Sequence, residues 1–132
     1  MLSKDELRGI LLSLPTAEIN ISKDKNTTVG YRVRLRVSIR GELKFLFAIR
    51  RSLLQHEIES KVKPMESRNR PRPVLYITGI SNLENLYETF TLYSNYSNVV
   101  WNNFVHVMWM VRQDKHLTQQ GLDKILEIKG LI

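Results

Sequence analysis

Residues 31–40 alternate strictly, with Val33, Leu35, Val37 and Ile39 interleaved between Arg32, Arg34, Arg36, Ser38 and Arg40. Successive side chains of a strand point to opposite sides, so the pattern predicts a β-strand with an aliphatic core face and a basic outer face. Upstream, Ser3 with Glu6 three residues on forms a capping box and predicts a helix from Lys4 toward Leu14, which Pro15 bends or ends. A short strand at Ile19–Ser22 and a turn at Lys23–Asn26 lead into the arginine strand. After Gly41, the spacing of Leu43, Leu46, Phe47, Ile49, Leu53 and Leu54 predicts a helix to about Gln55. Alternation resumes from Glu57 to Val62 as a third strand, and Val74–Ile80 reads as a fourth. Ser81 is the expected cap of a helix to about Thr91, with Leu83, Leu86, Tyr87 and Phe90 inward, and Asn95–Asn98 is a loop. Val99–Arg112, rich in Trp101, Phe104, Val105, Met108, Trp109 and Val111, is expected to be a buried helix, with His106 a core or boundary residue. Thr118 caps a last helix, Gln119–Lys129. The order is α, β, β, α, β, β, α, α, α.

The chain has 132 residues, 42% hydrophobic and 25% charged, which is enough for one domain with its own core and places it among globular proteins. With no cysteine, disulfides and thiolate metal sites are excluded. No apolar run reaches the length of a membrane span, and the first thirteen residues lack the pattern of a signal peptide. Glycine-rich phosphate loops, Ser/His/Asp arrangements and paired-histidine metal motifs are missing.

The net charge of +7 points to a polyanionic partner. The densest basic run is a strand and not an amphipathic helix, which favours nucleic acid over a membrane surface. Alternating strands ordinarily put solvated polar residues outside. Four arginines with no acid among them repel one another on such a face, and a phosphate-tracking surface explains Arg32, Arg34, Arg36 and Arg40 better. Lys61 and Lys63 extend the surface from the third strand. Pro64–Pro73, a proline-interrupted loop carrying Arg68, Arg70 and Arg72, reaches toward the same ligand. Gly9, Ser13 and Ala17 recur every fourth residue and would give a flat stripe for close helix pairing.

This element order, with the basic strand, resembles one half of a LAGLIDADG homing endonuclease. The likeness runs over nearly the whole chain and is sharpest at Gly30–Ile39, at Val74–Leu83, and at His116-Leu117-Thr118-Gln119-Gln120-Gly121-Leu122, which looks like the family's H-L-T-x-x-G-L stretch. It implies an α+β fold, αββαββα with extra C-terminal helices, as a single domain over residues 1–132. Its four-stranded antiparallel sheet would form a saddle over nucleic acid.

The family's signature helix lies on this sequence in two registers. The preferred one, Leu11–Ile19, puts Ser13 and Ala17 at the small packing positions and Glu18 at the metal-binding acid. It also puts Pro15 inside the helix, Thr16 where an acid stands and Ile19 where a glycine stands. The other, Leu7–Pro15, keeps Gly9 but puts Leu14 at the acid. In active relatives each half supplies one carboxylate for divalent metal, which activates water on a phosphodiester. A Gln after the second strand and a Lys near the start of the helix after the fourth are also common there, and Gly41 and Ser81 stand in those places here.

The resemblance therefore implies a catalytically degenerate nucleic-acid-binding protein needing no cofactor. RNA is favoured over DNA, and the chain would act as a maturase or as a subunit of an organellar ribosome or other ribonucleoprotein, with the mitochondrion or another organelle as the compartment. The alternative is an active homodimeric, Mg²⁺-dependent DNA endonuclease using Glu18 from each subunit. A third reading sets the arginine face against an acidic protein.

Overall fold

Helix α1 (Lys4–Ser13) starts on its capping box: the Ser3 hydroxyl accepts from the Glu6 amide and the Glu6 carboxylate accepts from the Ser3 amide, each at 3.1 Å. The computed structural model describes residues 2–92 and 99–131. Leu14 is the C-cap of α1 and Pro15 lies beyond it, where its missing N–H breaks no helical bond. This corrects the expected small-residue stripe. Ala17 belongs to strand β1 (Thr16–Lys23), so only Gly9 and Ser13 remain on the helix, and the Ser13 hydroxyl folds back to the Gly9 carbonyl at 2.7 Å.

Strand β1 is twice the predicted length and turns through residues 24–30 into β2 (Tyr31–Arg40). The Asp24 amide donates to the Gly30 carbonyl at 2.9 Å, and Gly30 sits at φ +80°, where a side chain would be strained. In β2 the alternation holds. Val33, Leu35, Val37 and Ile39 are buried, Arg32 and Arg34 are exposed, and Ser38 is fully buried on the arginine side. Strand β3 (Lys61–Lys63) pairs antiparallel with β4 (Val74–Thr78), and the four-stranded antiparallel sheet has the order β1-β2-β4-β3. The third strand is shorter than predicted because the Glu57 and Ile58 amides donate to the Leu54 and Leu53 carbonyls at the end of α2, and Asn82 captures Glu59. The Asn82 side chain accepts from the Glu59 amide at 3.0 Å and donates to the Glu59 carbonyl at 2.6 Å.

Residues 2–16 with 37–92 form one compact unit, and residues 17–36 with 99–131 a second. In the first, helices α2 (Leu43–Leu54) and α3 (Ile80–Thr89) pack on β3 and β4. Leu46, Ile49, Leu53, Leu75, Ile77, Leu83 and Leu86 are fully buried there, together with Leu7, Val37 and Ile39. The predicted α2 stripe is too wide. Leu43, Phe47 and Leu54 are exposed, and Ser52 takes a buried place, accepting from the Leu2 amide at 3.1 Å and donating to the Ala48 carbonyl at 2.8 Å. Helix α3 is capped by Gly79 at φ +90°, not by Ser81.

The second unit buries Val33, Leu35, Phe104, Val107, Met108, Leu122 and Ile125. Helix α4 (Val99–Arg112) has the predicted bounds but two faces: Trp109 is 61% exposed and His106 points to solvent. The expected loop at Asn95–Asn98 and the side chain of Trp101 lie outside the described residues. Helix α5 (Gln119–Lys129) begins where Thr118 accepts from the Gly121 amide at 3.1 Å and donates to the Lys115 carbonyl at 2.8 Å. A Cβ on Gly121 would lie 1.8 Å from that carbonyl oxygen. The turn Lys115–Leu117 can rest on α5 because residue 121 has no side chain. Among the described residues no helix is long and apolar enough to cross a membrane.

Replacing Gly121 with Ala forces this turn off the helix. The expected cost is about 1–3 kcal/mol, read as a lower urea midpoint, whereas Gly9→Ala, with nothing within 4 Å of the added carbon, leaves the midpoint unchanged or raised.

Candidate nucleic-acid interface

The arginines of β2 fall into two kinds. Arg32 and Arg34 are exposed, and their side chains make no hydrogen bond or ion pair among the described residues. Arg36 is claimed from the neighbouring strand by Glu18, the third residue of β1, with its Nε 2.6 Å and its Nη2 2.5 Å from Glu18 Oε2. The mutual repulsion expected from the strand alone is thus relieved by an acid the local sequence does not contain.

Arg40 is held in the same way from another direction. Its Nε donates to Glu66 Oε1 at 2.7 Å and its Nη2 to Glu66 Oε2 at 2.9 Å, the two-point geometry that suits a guanidinium and a carboxylate. Its Nη1 reaches the buried Ser38 hydroxyl at 3.2 Å, and that hydroxyl is 3.5 Å from the Thr16 carbonyl just past the end of α1. Glu66 lies in the loop between β3 and β4, which closes on itself. The Glu66 amide donates to the Arg72 carbonyl at 2.8 Å, and Ser67 and Arg70 exchange backbone bonds around the tip. Arg72 Nε comes to 3.5 Å and Arg70 Nη1 to 3.8 Å of the same carboxylate, and Lys63 Nζ donates to the Glu66 carbonyl at 3.4 Å. Hydrogen bonds from Arg40 and the fields of Arg40, Arg72 and Arg70 outweigh desolvation and hold the Glu66 carboxyl down from 4.5 to about 2.

Of the predicted basic residues, Arg40, Lys63, Arg70 and Arg72 are thus brought together around one acid. Lys61 and Lys63 are exposed on β3, on the same face as their β4 partners Tyr76 and Val74. Arg68 stands exposed at the loop tip. Sequence reasoning missed Glu66 and Tyr76. The signal for Glu66 was present as a lone carboxylate between Lys63 and three arginines. Tyr76 was discoverable from the period of β4, which places it opposite the buried Leu75 and Ile77.

No protein-family model and no curated protein matches this sequence. Solved structures do match. The homing endonuclease I-TnaI superposes with a TM-score of 0.80 at 25% identity, covering 96% of this chain and 85% of that one. This chain has the LAGLIDADG homing endonuclease fold. I-SmaMI bound to uncleaved DNA target in the presence of calcium ions matches with a TM-score of 0.80 at 18% identity, and the LAGLIDADG homing endonuclease I-LtrWI bound to target DNA with 0.79 at 21%. The chain spans 44% of the length of each of those two.

On the LAGLIDADG fold, the end of α1 is where the resemblance puts the metal-binding acid. The helix stops at Ser13, and the residue that the Leu7–Pro15 register puts at the acid position is Leu14, 51% exposed. The preferred register, which needed helix through residue 17, does not fit. Glu18 is the nearest acid along the chain, and its carboxylate already faces a guanidinium. That guanidinium offsets part of the charge by which a carboxylate holds a divalent ion. Among the described residues no three His, Asp or Glu side chains stand together. The residues of one chain do not fit a metal at this place. Gly41, where a Gln is common, is hemmed in by Phe45, whose ring lies 3.1 Å from where a Cβ would be.

Because the folded pKa of Glu66 is lowered, the cluster contributes stability that is fully present above about pH 4.5 and is lost as pH falls toward 2. Comparing urea midpoints of the wild type and Glu66→Gln across that interval should show a gap that closes on acidification. A gap independent of pH would contradict the assignment.

Proposed function

We propose that this LAGLIDADG-fold chain binds nucleic acid through its basic strands and β3–β4 loop and does not cleave it. The observation that carries this reading is the state of its acids. Leu14 occupies the helix end, and Glu18 is committed to Arg36 at 2.5–2.6 Å. Arg32 and Arg34 remain to meet phosphates or base edges, where a guanidinium serves a guanine in a duplex groove or a phosphate equally well.

Within this reading the ligand is RNA and the chain works as a maturase or as a subunit of an organellar ribonucleoprotein. What supports RNA is the same loss. A surface that no longer presents a duplex to a cutting centre keeps the cationic and aromatic contacts, Tyr76 among them, that structured RNA engages. The second reading, a homodimeric DNA endonuclease, is favoured by the match to I-TnaI over 85% of its length and by the open surface at Gly9.

Binding to an RNA hairpin and to a DNA duplex, each titrated over a range of salt, should weaken steeply with ionic strength, with RNA held more tightly at every salt. Arg32→Ala with Arg34→Ala should flatten the salt slope. A plasmid-nicking assay with Mg²⁺ should show no cleavage. Nicking that disappears in Glu18→Gln would overturn the proposal in favour of the endonuclease.

A further inference from the structure

A polyanion-binding surface gains nothing from a carboxylate by charge alone, yet Glu66 sits at the centre of the most basic loop of this chain. Its side chain is 10% exposed, whereas those of Arg70 and Arg72 are 63% and 54% exposed. One carboxylate has two oxygens, and Arg40 takes both at hydrogen-bond distance. Arg72 comes closest through Nε and Arg70 through Nη1, both at ion-pair range. Their side chains make no other polar contact among the described residues. With no side-chain hydrogen bond among the described residues and more than half of each side chain exposed, both guanidiniums keep N–H donors toward solvent.

We propose that Glu66 is a positioning residue, and that Arg70 and Arg72, steadied by it beside Lys63, form a binding site for a backbone phosphate of a nucleic acid. The inference rests on the nucleic-acid reading above and adds the residue that makes the loop competent. Geometry supports it in three ways. Closure of the loop from the Glu66 amide to the Arg72 carbonyl fixes the carboxylate next to residue 72. Residues 70 and 72 are two apart with Pro71 between them, which restricts the chain joining the two guanidiniums. Arg40, 20% exposed, anchors Glu66 to the end of β2, so the carboxylate is not the element that moves. Steadying a long side chain before binding removes part of the ordering cost otherwise met at the moment of association. The phosphate then takes the donors Glu66 leaves unused, and does not displace the carboxylate from Arg40.

The test exploits a sign that charge alone reverses. Glu66→Gln raises the net charge by one and, as a point-charge change, should tighten RNA binding. If Glu66 positions the arginines, affinity for a labelled RNA hairpin should instead fall by roughly three- to tenfold, the effect of releasing one long side chain. Arg40→Lys leaves the net charge unchanged but removes the two-point grip on Glu66, and should weaken binding in the same direction. In ¹⁵N spectra of the wild type, the Nε–H signals of Arg70 and Arg72 should move on adding the hairpin while that of Arg40 stays. Tighter or unchanged binding by Glu66→Gln, with wild-type binding intact, overturns this inference and leaves the nucleic-acid reading standing. Wild-type protein that binds neither hairpin nor duplex overturns both.

Discussion

A strand that buries Val33, Leu35, Val37 and Ile39 has no freedom in where its arginines go. The pleat puts every second residue on the far side at intervals of about 6.8 Å, so the core of the protein and the charge of its surface are set by one register. Each guanidinium then has to be solvated or matched. Arg32 and Arg34 take the first course at the exposed start of β2. Arg36 and Arg40 take the second, each with a carboxylate from a different part of the chain. The gradient along the strand, from hydrated cations to paired ones, gives the surface one end that can accept phosphates and another that is already organised.

That matching bears directly on chemistry. A carboxylate engaged with a guanidinium at hydrogen-bond distance has part of its charge already matched, which weakens its hold on a divalent ion. Glu18 is in that position, and at the end of α1 the residue is an exposed leucine followed by proline. The polar network that does occupy this region runs from the Thr16 carbonyl through Ser38 and Arg40 to Glu66, an arrangement of donors and acceptors without a spare negative charge. The fold is shared with homing endonucleases, while the end of α1 holds an exposed leucine and the nearest acid along the chain faces Arg36.

Most of the fold was legible from the sequence. The period of β2, the capping box at Ser3 and the Thr118 cap carry local instructions that tertiary packing does not override. The failures have separate physical causes. Glu57–Ser60 alternates like a strand, but the Glu57 and Ile58 amides donate to carbonyls at the end of α2 and the Glu59 backbone is taken by Asn82, a residue of a later helix. Val99–Arg112 is apolar almost all round, so its exposed face at Trp109 could not be told from its buried one by composition. The preferred register of the signature helix fails at Pro15, because α1 ends at Ser13 and residues 16–23 are strand. At the site, the basic residues were evident and their acidic partners were not. A strand pattern reports faces, whereas Glu18 and Glu66 reach their arginines through sheet pairing and loop closure.

The β3–β4 loop closes below its tip, through the Glu66–Arg72 backbone bond and the Ser67–Arg70 turn. The side chains of Arg68 and Asn69 hold nothing else together among the described residues. Their side chains are thus not tied into the fold, and only the turn backbone constrains what can stand there. Selection or a laboratory library could rewrite what this tip meets, one residue at a time, without passing through variants that lose the fold. Such an exposed pair of positions is where adaptation to a new partner has the shortest path.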